Sequence, residues 1–298
     1  MNIQSTSNRT YSKKLTIIIP AHNEEMNIGD LLDELNKIKQ DDWEIIVVND
    51  GSDDDTGELA RERGASVITH HYPMGNGAAI KAGMRAAQGE ILIMMDGDGQ
   101  HSPSDIPRFL EEIKRCDMVV GARDWKGQSS VHRGIANRVY NLLASYVAHR
   151  RIPDLTSGFR AVKSHIAKKY IYLLPNSFSY PTTITLAMMK SGHSVSYIPI
   201  SVSKRKGKSK ISLFSDGTKF LLIITRIATV FSPFRVFLPI SLFLFITGTF
   251  YYVYIYITAQ RFTNMAMLLF LMSILVFLLG LISEQINVLR YDRTEKSD

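Results

Sequence analysis

Ile91-Leu-Ile-Met-Met-Asp96-Gly-Asp98-Gly-Gln100-His101 runs five apolar residues directly into two carboxylates and then turns polar. An apolar run without alternation reads as a strand buried on both faces, as in a parallel sheet covered by helices. Residues two apart on a strand point to the same side, so Asp96 and Asp98 project together where the strand emerges. In open α/β sheets that edge is where ligands bind. Paired carboxylates repel unless a cation lies between them, and an all-oxygen donor set suits Mg²⁺ or Mn²⁺. A cation there is placed to neutralise a departing diphosphate. Two simpler readings compete. A calcium loop needs glycine at its sixth position and glutamate at its twelfth; here those are His101 and Pro107, so it fails. Helix capping is better supplied by Ser102, with Pro103 at the first helical position and Asp105 three residues on.

The 298 residues are 45% hydrophobic, with 35 Lys+Arg against 28 Asp+Glu. That length supports one sizeable domain and something smaller. The single cysteine, Cys116, excludes an internal disulfide and suits a cytoplasmic domain. Residues 1–14 are polar, lack the apolar core of a signal peptide, and read as a flexible N-terminus. Residues 237–257 and 265–282 are charge-free apolar runs, each about long enough to cross a ~30 Å hydrocarbon core. A polar turn with Arg261 joins them, and Tyr251, Tyr252, Tyr254 and Tyr256 crowd the end of the first, as interfacial aromatics do. A two-helix membrane hairpin over 236–289 is the expectation; a buried soluble hairpin is its rival. Lys204, Arg205, Lys206, Lys208, Lys210, Lys219, Arg226 and Arg235 precede the first run, and Arg290, Arg293 and Lys296 follow the second. The positive-inside rule then puts both termini, the 290–298 tail and the globular part in the cytoplasm. The basic excess thus needs no nucleic-acid partner, and the sequence carries no nucleic-acid motif.

Around the opening stretch, strands and helices alternate. Leu15-Thr-Ile-Ile-Ile-Pro20 is a short apolar strand, and Asn23 is placed to cap a helix with Ile28, Leu31, Leu32 and Leu35 at helical spacing. Glu44-Ile-Ile-Val-Val-Asn49-Asp50 is a second buried strand, running into the turn-rich Gly51-Ser-Asp53-Asp-Asp55-Thr-Gly57. Further strands are expected at 66–69, 91–96 and 118–121, with helices near 77–87 and 103–114. This order predicts a mostly parallel sheet with crossover helices. Asn23/Glu24, Asp50, Asp53/Asp55 and Asp96/Asp98 then share the ligand-binding rim, although each alone is equally turn and cap chemistry. Gly75-x-Gly77 follows the third strand and has Ile80 where a third glycine belongs, which excludes a nicotinamide-dinucleotide site. It still allows close backbone approach to a ligand, with Lys81 one helical turn on. His70-His71 reads as loop polarity rather than metal ligation.

Pro20-Ala-His-Asn-Glu-Glu, Val48-Asn-Asp50-Gly-Ser-x-Asp-x-Thr, Gly75-Asn-Gly-Ala-Ala, Asp96-Gly-Asp-Gly-Gln-His, Gly121-Ala-Arg123 and Ser157-Gly-Phe-Arg160 together resemble a family 2 glycosyltransferase of GT-A fold. More narrowly, the chain resembles the dolichol-phosphate mannose synthase-like, polyprenyl-phosphate group over roughly 15–210, and its two spans resemble those of membrane-anchored members. The resemblance implies an α/β, Rossmann-like catalytic domain, then interfacial amphipathic helices at 211–235 and the transmembrane hairpin. It implies an inverting enzyme moving a sugar from a nucleotide-sugar donor (GDP-mannose or a UDP-hexose) to membrane dolichyl or undecaprenyl phosphate. Pro20, Ala21, Asn23, Glu24, Asp50, Asp53, Gly77, Lys81 and Asp96 would surround the donor, Asp50 through the base. Asp96, Asp98 and Gln100 would hold Mg²⁺ or Mn²⁺. Arg123 would lie by the transferred sugar, and Ser157 and Arg160 by the acceptor. Arg205, with Lys208, Ser209 and Lys210, resembles a segment pairing with phosphates. The same basic run is equally a juxtamembrane stripe attracted to anionic headgroups.

An alcohol acceptor needs a general base. Many family 2 enzymes carry a carboxylate late in the catalytic domain, but Ser179-Tyr-Pro-Thr-Thr-Ile-Thr185 has none. That fits a phosphate acceptor, which is already an anion. Catalysis would then rest on positioning and on charge neutralisation by the metal site at Asp98 and by Arg123, Arg160 and Arg205, with Asp154 a reserve base. Residues 211–231 interleave apolar and charged side chains and read as helices lying in the interface, where they bring the site to a lipid-bound acceptor. A polysaccharide synthase would need a Gln-x-x-Arg-Trp motif, and neither Trp43 nor Trp125 stands in one. A sugar-nucleotide-binding scaffold without turnover would suit a broken Asp-x-Asp, and this one is intact. The apolar spans are compatible with a homo-oligomer without specifying one.

Overall fold

A computed structural model describes residues 12–123, 141–142, 144–145, 150–177, 179–203, 232–261 and 263–295. The chain divides into two compact units, Met1–Asn141 with Ile152–Lys210, and Leu142–Arg151 with Ile211–Asp298. Arg205, Lys208, Ser209 and Lys210, and the expected amphipathic segment 211–231, lie outside the described residues.

The strands of the first unit are β1 (Lys13–Ala21), β2 (Trp43–Asn49), β3 (Ser66–Thr69), β4 (Gly89–Met94), β5 (Met118–Arg123), β6 (Arg160–Lys163) and β7 (Val195–Ile200). They form one seven-stranded sheet in the order β3-β2-β1-β4-β6-β5-β7. β1 is parallel to β2 and β4, β2 to β3, and β5 to β7; only β6 is reversed, between β4 and β5. β6 and β7 went unread in the sequence for physical reasons. β6 is a four-residue Arg-Ala-Val-Lys with no apolar run. β7 carries Pro199, which an edge strand tolerates because one side of it needs no ladder donor.

The central strands are apolar throughout because both faces are covered. Ile17 and Ile19 enter a core with Ile28, Leu31, Leu32 and Leu35 of helix α1 (Glu25–Ile38). α2 (Thr56–Glu62) follows β2, and α3 (Asn76–Ala86) covers Ile18 on the other face. There Gly83 allows close contact, since a Cβ on it would sit 2.3 Å from Ile18 Cγ2. The helix expected at 103–114 divides into a 3-10 turn at Pro103–Asp105 and α4 (Ile106–Glu112). Pro107 has no N–H to bond back to Pro103, so a regular first turn cannot close. α5 (Ser164–Lys169), a 3-10 turn at Ile171–Leu173 and α6 (Tyr180–Lys190) follow β6 in this unit.

In the second unit α7 (Pro233–Ala259) and α8 (Asn264–Glu295) are both long and apolar enough to cross a membrane. They overrun the charge-free runs because helical backbone continues into the polar flanks. The turn between them is tight, with Gln260 left-handed (φ 50°) and its N–H bonded to Tyr256 O. Ser241 and Ser273 donate their hydroxyls to each other's carbonyls, both at 2.9 Å. Gly248 packs on Leu269 and Phe270, and Gly280 on Phe237, the small-residue contacts that let membrane helices approach.

Candidate functional site

The carboxyl ends of β1, β2 and β4 meet at one rim. Asp50 N–H bonds Ala21 O at 2.8 Å, Met95 N–H bonds Ile18 O at 3.1 Å, and a Cβ on Gly97 would lie 3.1 Å from Pro20 O. β1 is where the strand order reverses, so a crevice opens beside Pro20, Ala21 and Asp96. Asn23 does not cap α1. It is left-handed (φ 55°), its amide oxygen accepts Asp53 N–H at 3.0 Å, and its own N–H bonds Ser52 Oγ. Glu24 N–H bonds Thr56 Oγ1, and the Glu24 carboxylate accepts from Asn27 Nδ2. The first two strand-end loops are thereby laced together. Asp50 anchors the third loop. Its carboxylate accepts from His70 Nδ1 at 2.7 Å, Met74 N–H at 2.9 Å and Gly75 N–H at 2.7 Å. Burial alone would raise its pKa, but these donors hold it below the usual carboxylate range.

Asp96 stands at the mouth of the crevice with its side chain 33% exposed, 3.6 Å from His101 Nε2. Gly158 lies against it so closely that a Cβ there would meet Asp96 Oδ2 at 2.2 Å. Burial pushes the Asp96 pKa up, and His101, the Asn76 amide and the Arg123 charge together bring it below the ordinary value. Asp98 Oδ1 accepts Gln100 N–H at 3.1 Å. Gln100 Nε2 donates to Ser203 O, and Ser203 N–H to Gln100 O, while His101 bridges Val202. Among the described residues no group of three or more His, Cys, Asp or Glu could cage a metal. Asp96, Asp98 and the Gln100 amide oxygen are oxygen donors, the chemistry that Mg²⁺ or Mn²⁺ takes together with waters and substrate phosphates. His101, Asn76 and Gly158 escaped the sequence reading as site residues. All three stand inside motifs already quoted, His101 closing Asp96-Gly-Asp-Gly-Gln-His, Asn76 within Gly75-Asn-Gly-Ala-Ala and Gly158 within Ser157-Gly-Phe-Arg160.

Arg123 is clamped by Asp154, Nε to Oδ2 at 2.7 Å and Nη2 to Oδ1 at 2.9 Å, with Thr156 Oγ1 at 2.6 Å from Nη2. Despite burial, that contact and the backbone N–H groups around it hold Asp154 below the carboxylate range. An acid so committed cannot serve as a reserve base. Four further expectations are corrected. Arg160 is fully buried and touches no acceptor surface. Its guanidinium donates to Pro181 O, Thr185 Oγ1 and Ser157 O, because reversed β6 directs it under α6. Ser157 is likewise enclosed, its hydroxyl without a partner in the structure. The close approach at Gly77 is made by the chain itself, since a Cβ there would sit 2.0 Å from Pro175 O. Lys81 donates to Leu174 O at 3.1 Å and to Asn176 Oδ1, so its charge is spent on that same segment.

Comparison with known proteins agrees with this geometry. The family model described as glycosyl transferase family 2 matches residues 16–171, and one described as GtrB C-terminal hairpin matches 232–289. A dolichyl-phosphate hexose transferase of Haloferax volcanii is 31% identical over 208 residues, covering 68% of this chain and 89% of that protein. An undecaprenyl-phosphate 4-deoxy-4-formamido-L-arabinose transferase of Photorhabdus laumondii is 30% identical over 190 residues, 57% of this chain and 58% of that one. Among solved structures, glucosyl-3-phosphoglycerate synthase from Mycobacterium tuberculosis, in complex with Mn²⁺, UDP and phosphoglyceric acid, superposes with a TM-score of 0.60. It has 18% identity over 72% of this chain and 78% of that one, which speaks for the GT-A fold alone. With the family match spanning just over half the chain, this protein belongs to glycosyl transferase family 2.

Proposed function

We propose that the chain is an inverting, metal-dependent transferase that moves a hexose from a nucleotide donor to a membrane polyprenyl phosphate. The observation that carries this reading is Asp96 at the carboxyl end of β4, partly exposed and with Arg123, clamped by Asp154, in electrostatic range. The relatives are named for polyprenyl-phosphate acceptors, and two apolar helices follow the catalytic unit in sequence. Pro20, Ala21, Asn23, Glu24, Asp50 and Asp53 shape the nucleoside half of the site. Asp96, Asp98 and the Gln100 amide oxygen would hold a divalent cation, which would supply the positive charge needed against a leaving diphosphate. Arg123, fixed by Asp154, aims its charge at the same region without losing entropy on binding. The segment that begins α6 is buried and carries no carboxylate, and Asp154 is tied up, which fits a phosphate acceptor because an anionic nucleophile needs no general base. Arg205, Lys208 and Lys210 supply positive charge, and Ser209 a hydroxyl, for phosphates; Ser203, two residues before Arg205, is bonded to Gln100. The Lys and Arg excess flanking the spans supports, by the positive-inside rule, a cytoplasmic catalytic unit with both termini on that side.

The test is transfer of label from GDP-mannose, UDP-glucose or UDP-N-acetylglucosamine by purified full-length protein with Mn²⁺ and vesicles containing undecaprenyl or dolichyl phosphate. The expected result is label in the chloroform-extractable phase, abolished by EDTA. Label only in water-soluble glycan would favour the polysaccharide synthase and end this reading.

A further inference from the structure

We propose that His70 determines which nucleobase the donor carries, by presenting its Nε2 as a hydrogen-bond acceptor to the ring N–H of uracil or guanine. The inference rests on the nucleotide-donor reading above. It starts from Asp50, which is nearly enclosed, its side chain 7% exposed. An ionised carboxylate offers roughly four acceptor positions. Three are taken, by His70 Nδ1, Met74 N–H and Gly75 N–H. What the Asp50 corner offers outward is therefore chiefly the histidine bonded to it.

The chemistry of that contact sets the tautomer. A carboxylate already accepting two backbone N–H groups is acceptor-only, so the 2.7 Å contact requires the proton on His70 Nδ1. With the proton on Nδ1, Nε2 of an uncharged imidazole is an acceptor, and among the described residues the ring's hydrogen bond is the one to Asp50. The ring does not swing freely. His70 N–H is bonded to Asn49 O at 2.9 Å, so backbone and ring are both fastened to the end of β2. Asp50, to which the ring is bonded, follows β2, two strand spacings from the end of β4 that carries Asp96, on the order of 10 Å and within the span of a nucleoside diphosphate. Exposed Tyr72 and Met74 on the same loop offer apolar surface to the faces of a base. Uracil N3 and guanine N1 carry a proton; cytosine N3 and adenine N1 are themselves acceptors and would oppose the Nε2 lone pair. An acceptor fixed in this way selects by leaving the wrong base unpaired.

Isothermal titration of full-length protein in detergent with Mn²⁺ and UDP, GDP, inosine diphosphate, ADP, CDP or pyrophosphate tests this. The bases with a ring N–H should bind about tenfold tighter than ADP and CDP, the worth of a hydrogen bond made rather than opposed. His70→Asn keeps an amide N–H for Asp50 but removes the distal acceptor. It should weaken the tightest nucleotide about five- to tenfold, leaving pyrophosphate affinity and Tm unchanged. ADP or CDP binding as tightly as UDP and GDP, or His70→Asn leaving the preferred nucleotide untouched, overturns the assignment while sparing the donor reading. A parallel loss of pyrophosphate affinity also overturns it, by showing that the loop has merely collapsed. Failure of every nucleoside diphosphate to bind removes the donor reading and this inference together.

Discussion

Gly158 shows how little space the reacting corner leaves. A Cβ at 2.2 Å from Asp96 Oδ2 cannot be accommodated, so a methyl there must displace the carboxylate or the turn carrying Ser157 and Arg160. Displacements of about 1 Å near the chemistry cost on the order of 100-fold in rate. Gly158→Ala is accordingly predicted to lower kcat by about that factor, with a Tm change of only a few degrees. A kcat within threefold of wild type would mean that Asp96 is not held where it is needed. The residue scale is also where sequence and structure diverge most. Arg160 and Lys81 looked like ligand contacts because long cations near glycine motifs so often are. Yet one sits beneath a reversed strand and the other on two of the chain's own oxygens. Pattern reports the residue type; only the path of the chain reports which way the group faces.

Elements are held at the opposite edge of the sheet by a network that sequence spacing does not disclose. Asp117, just before β5, accepts from Lys163 Nζ at the end of β6 and from Ser194 N–H and Oγ before β7. Burial would raise its pKa, but the Lys163 ammonium and the Ser194 donors bring it down from 3.8 to about 2. A carboxyl whose folded pKa is depressed adds stability above its unfolded pKa, and loses it as pH falls through the folded value. The contribution is about 2 kcal/mol at neutral pH, complete above about pH 5 and nearly gone by pH 2. Asp117→Asn should therefore lower urea-unfolding stability of the detergent-solubilised chain by about that amount at pH 7, and by progressively less below pH 4. An equal deficit at pH 7 and pH 2.5 would show that the network works by packing rather than by charge. β1, β2 and β4 were legible because each is an apolar run, and β3 because a short Ser-Val-Ile-Thr follows a helix at the expected spacing. β6 and β7 were not, because one is short and polar and the other half-exposed and interrupted by proline.

For the whole molecule, the sequence already disclosed the sequential order: a crossover sheet whose rim gathers Asp50, Asp96 and Asp98, then two apolar spans. It could not disclose that Asp154 clamps Arg123, or that Asp50 holds His70, since those partners are separated by 31 and 20 residues and meet only when the strands pair. All of the proposed chemistry depends on a divalent ion joining the protein to the donor diphosphate at that rim. The direct measurement is Mn²⁺ electron paramagnetic resonance on full-length protein in lipid nanodiscs, titrated with its preferred nucleoside diphosphate. One tightly held Mn²⁺ per chain is predicted, appearing only with the nucleotide and lost in Asp98→Ala. Mn²⁺ that stays free at saturating nucleotide, or binds equally well to Asp98→Ala, would contradict it.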